Sequence, residues 1–438
     1  MKDAFFDLAA ALERELHANE ILLCTLSGER SDFVRFNRAR VRQAGTVEQR
    51  FFGIRLVRAR RQTSARIALA GSADDFGVAR DTMEKLREQL SQIPEDPWLA
   101  ICEASHSACT GRRGRLPQAP EVIEEVVRSA ADVDFVGFYA AGTICRGLTT
   151  SLGQRNWHEA DTFSFDWSLH LDGARAVKEA YAGFDWDALQ FQAKLADSLG
   201  QLELLRIPSV TLEPAEYRAY LAPRALEEIA GLLSWNAFSA RARATRQSAL
   251  LRMAHGERLS PKVTLTERIA EALAPPFQED GFARPAEVVL IDRGALAQSL
   301  VSPRSAREYG LTSNGANARE TPDALDLAPG ELGEDDVLAA LDCGLYIGNL
   351  WYLNYSDKAA ARMTGMTRFA TFLVEDGRIR APVLPLRFDD TLYRLFGENL
   401  LHLTRGRELM PSTSTYDERS MASATLPGAL VAAMRFTL

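Results

Sequence analysis

The segment Thr162–Asp172, TFSFDWSLHLD, has the clearest secondary-structure pattern in the chain. Large apolar side chains stand at every second position, with polar or charged side chains between them. Successive side chains of a β-strand point to opposite faces of a sheet, so this alternation predicts a strand with one buried face. The apolar positions are Phe163, Phe165, Trp167, Leu169 and Leu171. We therefore expect the N-terminal half to be built on a sheet that is covered on one side.

The stretch that leads into this strand, WHEADTF at Trp157–Phe163, contains the only His-Glu pair of the sequence. A zinc-peptidase helix would need a second histidine at position 162 or 163 to complete HExxH or HExxxH. Those positions hold Thr162 and Phe163. At the start of a strand, His158 and Glu159 would also point to opposite faces. The pair is therefore not predicted to bind a metal.

Further strands and helices are predicted on both sides of this segment. Polar and apolar residues keep switching from Asp32 to Leu69, which indicates several strands joined by turns. A strand pair is expected at Phe135–Ala141 and Cys145–Leu152. Apolar residues recur at helical spacing in three other places. These predicted helices are Asp75–Ile93, Ala119–Ala131 and Leu189–Leu205.

The C-terminal half has a different pattern. A helix is predicted from Pro214 to about Leu233, and short β-like segments separated by Gly, Asp and Asn dominate from Ala286 onward. The clearest of these segments are Val288–Ile291, Cys343–Leu350, Phe369–Val374 and Leu430–Phe436. The break at Arg206–Pro208 indicates a domain boundary. The prediction is an α+β protein with an N-terminal mixed α/β sheet domain, residues 1–207, and a C-terminal domain, residues 208–438, that is a mainly antiparallel β-sheet or is barrel-like.

The composition limits the classes of function. The 438 residues are 46% hydrophobic and 25% charged, which is typical of a soluble globular protein. The formal net charge of −8 argues against a nucleic-acid partner, since no excess of Lys and Arg is available to displace phosphate counterions. No apolar run approaches the ~20 residues of a membrane-spanning helix. Five cysteines without a CxxC pair indicate reduced thiols, so we expect a cytoplasmic protein without a membrane partner.

Familiar catalytic motifs are missing from the sequence. It has no GxSxG elbow, and GLTSNG at Gly310–Gly315 lacks the pattern of a phosphate-binding loop. The histidines other than His158 are far apart along the chain. A metal site assembled from distant residues stays open at this point.

Two polar clusters in the C-terminal half are candidate binding segments. The first, Leu311–Asn317, is rich in small hydrogen-bonding residues, although its Asn-Gly step equally predicts a plain turn. The second, Arg362–Phe369, has Gly365 as the expected turn residue between two arginines. The guanidinium groups of Arg362 and Arg368 suit recognition of a carboxylate or of peptide carbonyls, unless they only mark a solvated hairpin end.

A family resemblance rests mainly on two C-terminal stretches. They are DGFARPAEVVLIDRGALAQSLVSPRSAREYGLTSNGANA, residues Asp280–Ala318, and TGMTRFATFLVEDGRIRAPV, residues Thr364–Val383. Both resemble segments of the TldD/TldE (PmbA) family, described first as modulators of DNA gyrase and later as a two-subunit metalloprotease. A weaker likeness covers FVRFNRARVRQAGTVEQRFFGIRLV, residues Phe33–Val57. RFDDTLYRLFG, residues Arg387–Gly397, departs from the usual pattern and indicates a divergent subgroup.

The resemblance implies a role within a complex. In TldD-like members a helix early in the C-terminal domain carries HExxxH, with two zinc-binding histidines and a glutamate that activates water. The matching window, Pro214–Ser239, contains Glu227 and Glu228 but no histidine. The chain is therefore similar to the TldE/PmbA-type subunits. For such a subunit the resemblance implies no catalytic residue, no metal in this chain, and zinc in a TldD-like HExxxH partner.

The implied substrate is an unfolded or leader peptide, held as an extended strand in a chamber that both subunits line. The residues expected to line that chamber or to contact the partner come from the two polar clusters. They are Thr312, Ser313, Asn314, Arg362, Met366, Thr367 and Arg368. The alternative is a stand-alone homodimeric peptide-binding protein, or an enzyme with an unrecognised active site.

Overall fold

The structure, a computed structural model, describes residues 1–173 and 175–437. Within these residues the N-terminal half contains seven strands and four helices. The strands are β1 (Ile21–Asn37), β2 (Arg40–Arg58), β3 (Arg61–Ala68), β4 (Ser107–Arg112), β5 (Asp134–Thr150), β6 (Gln154–His170) and β7 (Ala176–Gly183). The helices are α1 (Lys2–Glu13), α2 (Asp75–Leu90), α3 (Ala119–Ser129) and α4 (Ala188–Leu204).

The seven strands form one sheet in the order β3-β2-β1-β5-β6-β4, and β7 pairs with β6 beyond the end of β4. Every pairing is antiparallel except that of β4 with β6. The central strands are long, with 17 residues in each of β1, β5 and β6. One face is therefore long enough for two helices to pack on it at each end.

The predicted strand at Thr162–Asp172 is confirmed as the second part of β6. Its alternate side chains Phe163, Phe165 and Trp167 are at most 1% exposed and pack with residues of α3 and α4. Trp157, six residues before Phe163, lies on the same face and packs with α1 and α2. All four helices thus cover one face, and the opposite face is left for the C-terminal half.

The His-Glu pair lies inside β6 rather than at the start of a strand. The ring of His158 is buried, with Nδ1 at 2.9 Å from the Thr110 hydroxyl and Nε2 at 2.9 Å from the Leu273 carbonyl. Burial lowers the pKa of His158. Glu159 lies on the other face, where it accepts a hydrogen bond from the indole of Trp157 at 3.1 Å. The two side chains therefore do not face one common ion, as the strand pattern predicts.

β5 is one continuous strand, so the predicted pair at Phe135–Ala141 and Cys145–Leu152 is wrong. Gly142 lies opposite Ser31 of β1 and Thr162 of β6 in an uninterrupted ladder. Its φ is +148°, and a Cβ at this position would collide with a backbone carbonyl of β1. The glycine therefore permits a close approach between strands instead of forming a turn.

The C-terminal half contains eleven strands and five α-helices within the described residues. The strands are β8 (Glu216–Leu221), β9 (Leu265–Arg268), β10 (Glu287–Asp292), β11 (Ala295–Leu296), β12 (Ala324–Leu327), β13 (Gly344–Asp357), β14 (Arg362–Glu375), β15 (Arg378–Pro382), β16 (Arg387–Thr391), β17 (Leu400–Pro411) and β18 (Ser423–Arg435). The helices are α5 (Pro223–Leu233), α6 (Ala240–Ala244), α7 (Leu251–Ala254), α8 (Pro303–Tyr309) and α9 (Val337–Leu341). In the part of the chain that the structure describes, no helix has the length and apolar character needed to cross a membrane.

These strands form a second sheet in the order β11-β10-β9-β12-β18-β8-β13-β14-β15, with β16 on β14 and β17 on β18. Only the pairings of β12 with β18 and of β8 with β13 are parallel. The strand path has two free ends, so the sheet is open. The α+β class and the mainly antiparallel sheet are therefore confirmed, and the barrel-like alternative is wrong.

The helix predicted from Pro214 to Leu233 is wrong in its first part. Glu216–Leu221 forms β8, which lies in the middle of the sheet between β13 and β18. The helix α5 begins only at Pro223, and proline suits the first helical turn because its missing N–H would be unpaired there. The partner strands come from much later in the chain, so the local pattern could not reveal this pairing.

The two sheets fall on either side of the predicted domain boundary. The strands of the first end at Gly183 and those of the second begin at Glu216. The division at residues 207 and 208 lies between them and stays a prediction. An apolar cluster connects the halves, in which Ile144 and Ala160 of the first sheet pack with Met421. The uncovered face of the first sheet is thus held against the C-terminal half.

Candidate functional site

A cleft of about 830 Å³ lies between the uncovered face of the first sheet and loops of the C-terminal half. Thr25 and Ser27 of β1, Gly53 of β2 and Leu148 of β5 form part of its lining. On the opposite side, residues 274–279 contribute Phe277 and other side chains. This volume lies within the ~300–1,000 Å³ of sites that enclose small organic ligands.

Five arginines line the cleft, and carboxylates hold most of them in place. They are Arg55, Arg66, Arg146, Arg284 and Arg319. Arg55 lies 2.6 Å from Asp280, and Arg284 bridges Glu267 at 2.6 Å and Asp323 at 2.8 Å. Arg319 is exposed and forms no ion pair within the described residues. The cleft thus offers fixed guanidinium groups beside apolar surface.

The segment between β17 and β18, residues 412–422, closes one side of the cleft. Glu418 in this segment accepts a hydrogen bond from the Ser27 hydroxyl. Its carboxylate also lies 3.1 Å from Arg66 and 3.6 Å from Arg146. Three groups of the first sheet therefore converge on one carboxylate of the C-terminal half.

The neighbouring residue, Arg419, anchors this segment in the first sheet. Its side chain is buried and donates to the carbonyl of Thr162 at 3.1 Å and to its hydroxyl at 2.6 Å. It also donates to the Gly142 carbonyl and the Ser31 hydroxyl, both at 3.3 Å. Burial lowers the pKa of Arg419 to about 10, against the favourable charge of Glu29. The guanidinium thus remains charged at neutral pH and fixes this wall of the cleft.

Helix α5 occupies the window in which the family resemblance places HExxxH. One side of it packs against β13 and β18. The buried residues are Ala225, Leu226, Ile229, Ala230, Leu232 and Leu233. The polar residues lie on the other side, where Arg224 donates to Glu227 at 2.8 Å. Glu228 is exposed, and partial burial of its carboxyl together with the charge of Glu227 raises the pKa of Glu228.

The residues of α5 do not fit a HExxxH zinc site. With Glu228 in the glutamate position, the two histidine positions hold Glu227 and Leu232. Leu232 is 3% exposed and belongs to the core. Across residues 1–173 and 175–437, no three His, Cys, Asp or Glu side chains are grouped so that they could hold a metal ion. No hydrolytic step can therefore be derived through a metal on this helix.

A cluster of charges connects α5 to the N-terminal half. Lys194 of α4 lies 3.4 Å from Glu179 of β7 and 3.2 Å from Glu408 of β17. Burial raises the pKa of Glu179. Burial opposes the charge of Lys194, but the two carboxylates outweigh it and raise the pKa of that ammonium group. With Arg224 nearby, the cluster joins both halves of the chain electrostatically.

The first predicted cluster lies in the loop that follows α8. Ser313 donates to the Val301 carbonyl at 3.0 Å. Asn314 accepts from the Val301 amide at 2.8 Å and donates to the Ser299 carbonyl at 2.7 Å. Thr312 is exposed. These bonds fix the loop to the segment before α8, and a substrate role for its residues stays a prediction.

The second predicted cluster lies within β14, and the turn expected at Gly365 is wrong. Gly365 pairs with Phe388 of β16 in the middle of a strand. A Cβ at Gly365 would collide with the side chains of Leu353 and Phe388. The glycine therefore serves packing between strands rather than a reversal of the chain.

Two members of this cluster have structural partners. Arg362 lies 3.1 Å from Asp389 of the adjacent strand. Thr367 is fully buried, and its hydroxyl accepts from the Leu386 amide at 3.0 Å. A direct contact of Thr367 with a ligand would need this part of the sheet to open.

Arg368 is an exposed arginine that stacks on an aromatic ring, and its role in binding stays a prediction. It is exposed, and its guanidinium carbon lies 4.5 Å from the ring centre of Trp351. Trp351 is 47% exposed and lies opposite the half-buried Met366 across the strands. Stacking on the ring fixes the guanidinium while leaving its donors free for a carboxylate or carbonyl.

The structure does not bring the two predicted clusters into the cleft. None of the seven predicted residues lines it, although Asn317, at the end of the first polar segment, does. Sequence reasoning missed Arg66, Arg146 and Glu418. Their segments are far apart in the chain and meet only after both halves have folded, so no local motif marks them.

Comparisons with known proteins relate the sequence to one family and the fold to solved structures. Residues 214–437, just over half of the chain, match the family model described as PmbA/TldA metallopeptidase C-terminal domain. No curated protein sequence gives a significant match. Ten solved chains match this one, and three examples each cover all of it. They are a candidate modulator of a DNA gyrase from Thermotoga maritima (TM-score 0.79, 15% identity, 100% of that chain), TldE from Thermococcus kodakarensis (0.77, 16%, 100%) and a candidate modulator of DNA gyrase from Bacteroides thetaiotaomicron (0.74, 14%, 98%). At these identities the likeness to the solved structures shows the fold alone.

Proposed function

The chain belongs to the TldD/PmbA family of metallopeptidase-like proteins, and we propose that it is a non-catalytic, TldE/PmbA-like subunit of a heteromeric zinc protease. The composition of α5 carries this proposal, because Glu227 and Leu232 stand where HExxxH requires histidines. A zinc peptidase needs such ligands to hold the metal that activates water. In this proposal a TldD-like partner with HExxxH supplies the zinc and the catalytic glutamate.

The proposed substrate is an unfolded or leader peptide in extended form. The cleft of about 830 Å³ supports this role, since it combines apolar surface with fixed arginines. Backbone hydrogen bonding to a strand is tolerant of sequence, which suits a protein that handles unfolded chains. This subunit would hold the peptide while the partner cleaves it. Arg368 and the loop at Thr312–Asn314 are proposed to contact the peptide or the partner.

The proposal predicts that the purified chain alone holds no stoichiometric zinc and does not degrade an unfolded peptide. Adding the TldD-like partner is expected to give a zinc-containing complex that degrades the peptide. Metal content by elemental analysis and cleavage by mass spectrometry measure both results. Stoichiometric zinc together with proteolysis by the isolated chain would overturn the non-catalytic role.

Replacing Arg368 by alanine is expected to weaken peptide handling by the complex. Loss of one stacked, charge-assisted contact should raise the KM for an unfolded peptide about fivefold to tenfold. The free energy of unfolding should stay within about 0.5 kcal/mol, because the side chain is exposed. Arg380→Ala is a matched control, since Arg380 is an exposed arginine that pairs with Asp376 at 3.0 Å on a different strand. Equal KM values for both variants would show that Arg368 does not contact the peptide.

A further inference from the structure

A second, smaller cavity of about 210 Å³ lies between the two halves of the chain. Its floor belongs to the second sheet, where β18 lies between β12 and β17, and β9 follows β12. Alternate residues of a strand point to the same face, so three of these strands each contribute two residues that are two apart. They are Ala324 and Asp326 of β12, Arg407 and Leu409 of β17, and Ser423 and Thr425 of β18. The N-terminal half contributes Arg112, at the end of β4, and Phe184, just after β7.

Two of the three arginines that line the cavity are held by Asp326, a carboxylate that is 6% exposed. Nη1 of Arg407 lies 2.8 Å from each oxygen of Asp326. Nε of Arg268 lies 3.8 Å from the same carboxylate, and its Nη1 lies 3.1 Å from Glu287. Within the described residues, Arg407 donates hydrogen bonds only through Nη1. Both guanidinium groups are thus fixed in position and keep unused donors.

The third arginine, Arg112, is fixed by an aromatic ring. Its guanidinium carbon lies 3.7 Å from the ring centre of Phe184, which is 5% exposed. Arg112 is itself exposed, and among residues 1–173 and 175–437 it forms no hydrogen bond or ion pair. Stacking on a ring face leaves the N–H groups at the edge of the guanidinium free. Three guanidinium groups with unused donors therefore meet at one cavity.

The charges around the cavity favour a ligand with a single negative charge. Among the side chains that the structure describes there, the three guanidinium groups face only the carboxylates of Asp326 and Glu287. Asp185 also interacts with the charge of Arg112, but it pairs with Arg115 at 3.2 Å, so that couple is neutral. One positive charge remains. It matches a carboxylate, whereas a phosphate dianion would exceed it.

The rest of the lining suits a short apolar group attached to that carboxylate. Phe184 and Leu409 supply apolar surface, and the alanines at 272 and 324 leave room beside it. A planar carboxylate can accept two parallel N–H bonds from one guanidinium, which inorganic ions without an apolar part would match only at one end of the cavity. The volume of about 210 Å³ lies below the ~300–1,000 Å³ of ordinary ligand sites, so the ligand is small.

We propose that this cavity binds a monocarboxylate with a short apolar group, either a free organic acid or the C-terminal residue of a peptide. Arg112 of the N-terminal half and Arg407 of the C-terminal half bind the same carboxylate, so the ligand also holds the two halves together. None of the residues used in the proposed function lines this cavity. Either proposal can therefore fail alone.

Titration of the full chain with isovalerate, followed by ligand-observed NMR, tests the site. Isovalerate is expected to bind with a Kd of about 0.1–1 mM, a range that suits so small a ligand. Isovaleramide has the same shape without the charge and should bind at least about tenfold more weakly. Phosphate should bind more weakly than isovalerate, because it has no apolar part to bury.

Two variants locate the binding. Arg112→Ala should weaken isovalerate binding about tenfold or more, because one charge-assisted contact is lost. Arg113→Ala is the matched control, since Arg113 is the next residue, does not line the cavity and pairs with Glu159 and Asp161. It should leave the Kd within about twofold of wild type. Thermal unfolding without ligand should show the same midpoint for both variants, because both side chains are exposed.

N-acetylleucine separates the two sources of the carboxylate, because it carries the end of a peptide chain. Binding of both acids supports a site that accepts peptide ends, and binding of isovalerate alone supports a site for free acids. The proposal is overturned if neither acid binds at concentrations up to about 10 mM. Equal effects of Arg112→Ala and Arg113→Ala, or tighter binding of phosphate than of both acids, would also contradict it.

Discussion

Replacing Arg419 by alanine is expected to lower the free energy of unfolding by about 3–5 kcal/mol. Arg419 is 6% exposed, and its guanidinium donates to Thr162, Gly142 and Ser31 in three strands of the first sheet. Without it, the carbonyls of Thr162 and Gly142 each lose a hydrogen-bond donor in a buried place, and Glu29 loses the favourable charge of Arg419. Because Arg419 comes from the C-terminal half, the contact between the halves should weaken as well.

Chemical denaturation followed by tryptophan fluorescence measures this change. Arg66→Ala is the matched control, because Arg66 contacts the same segment through Glu418 but has a side chain that is 46% exposed. An exposed ion pair of this kind contributes about 0–1 kcal/mol. If both variants lose the same stability, the buried position of Arg419 is not what holds the segment.

Local periodicity is sufficient to predict those elements whose burial depends only on their own residues. The alternation at Thr162–Asp172 predicted the second part of β6, whose apolar side chains are buried as expected. The helices predicted at Ala119–Ala131 and Leu189–Leu205 correspond to α3 and α4, with small differences at their ends. Such elements have one face that is apolar along its whole length, so the sequence itself contains the decisive information.

Elements that depend on distant partners could not be predicted in this way. Gly142 and Gly365 stand where the sequence predicts turns, yet both lie within strands. At each of them, atoms of an adjacent strand occupy the place that a Cβ would need. The predicted helix wrongly includes β8, because the partners of that strand, β13 and β18, lie more than a hundred residues away. The cleft has the same origin, since residues of β1 meet Glu418 only when the halves dock. These pairings cannot be predicted from the local pattern of a single sequence.

Restoring the missing motif is expected to destabilise the chain without creating a zinc site. The variant Glu227→His/Leu232→His has HExxxH at positions 227–232. Leu232 lies in the core, whereas Glu227 lies on the polar side of α5. The two new imidazoles would therefore not converge on one ion.

The single change Leu232→His accounts for most of the expected loss, about 3–5 kcal/mol, because it removes buried apolar volume and places a polar ring in the core. Thermal unfolding with and without zinc measures both effects, and zinc should not raise the midpoint of either variant. Glu228→His is the control, since this residue is exposed on the same helix and should change stability by about 0.5 kcal/mol or less. Tight zinc binding by the double variant, with a higher midpoint, would mean that α5 can still present a metal site. The absence of histidines alone, rather than the orientation of the helix, would then separate this chain from a catalytic subunit.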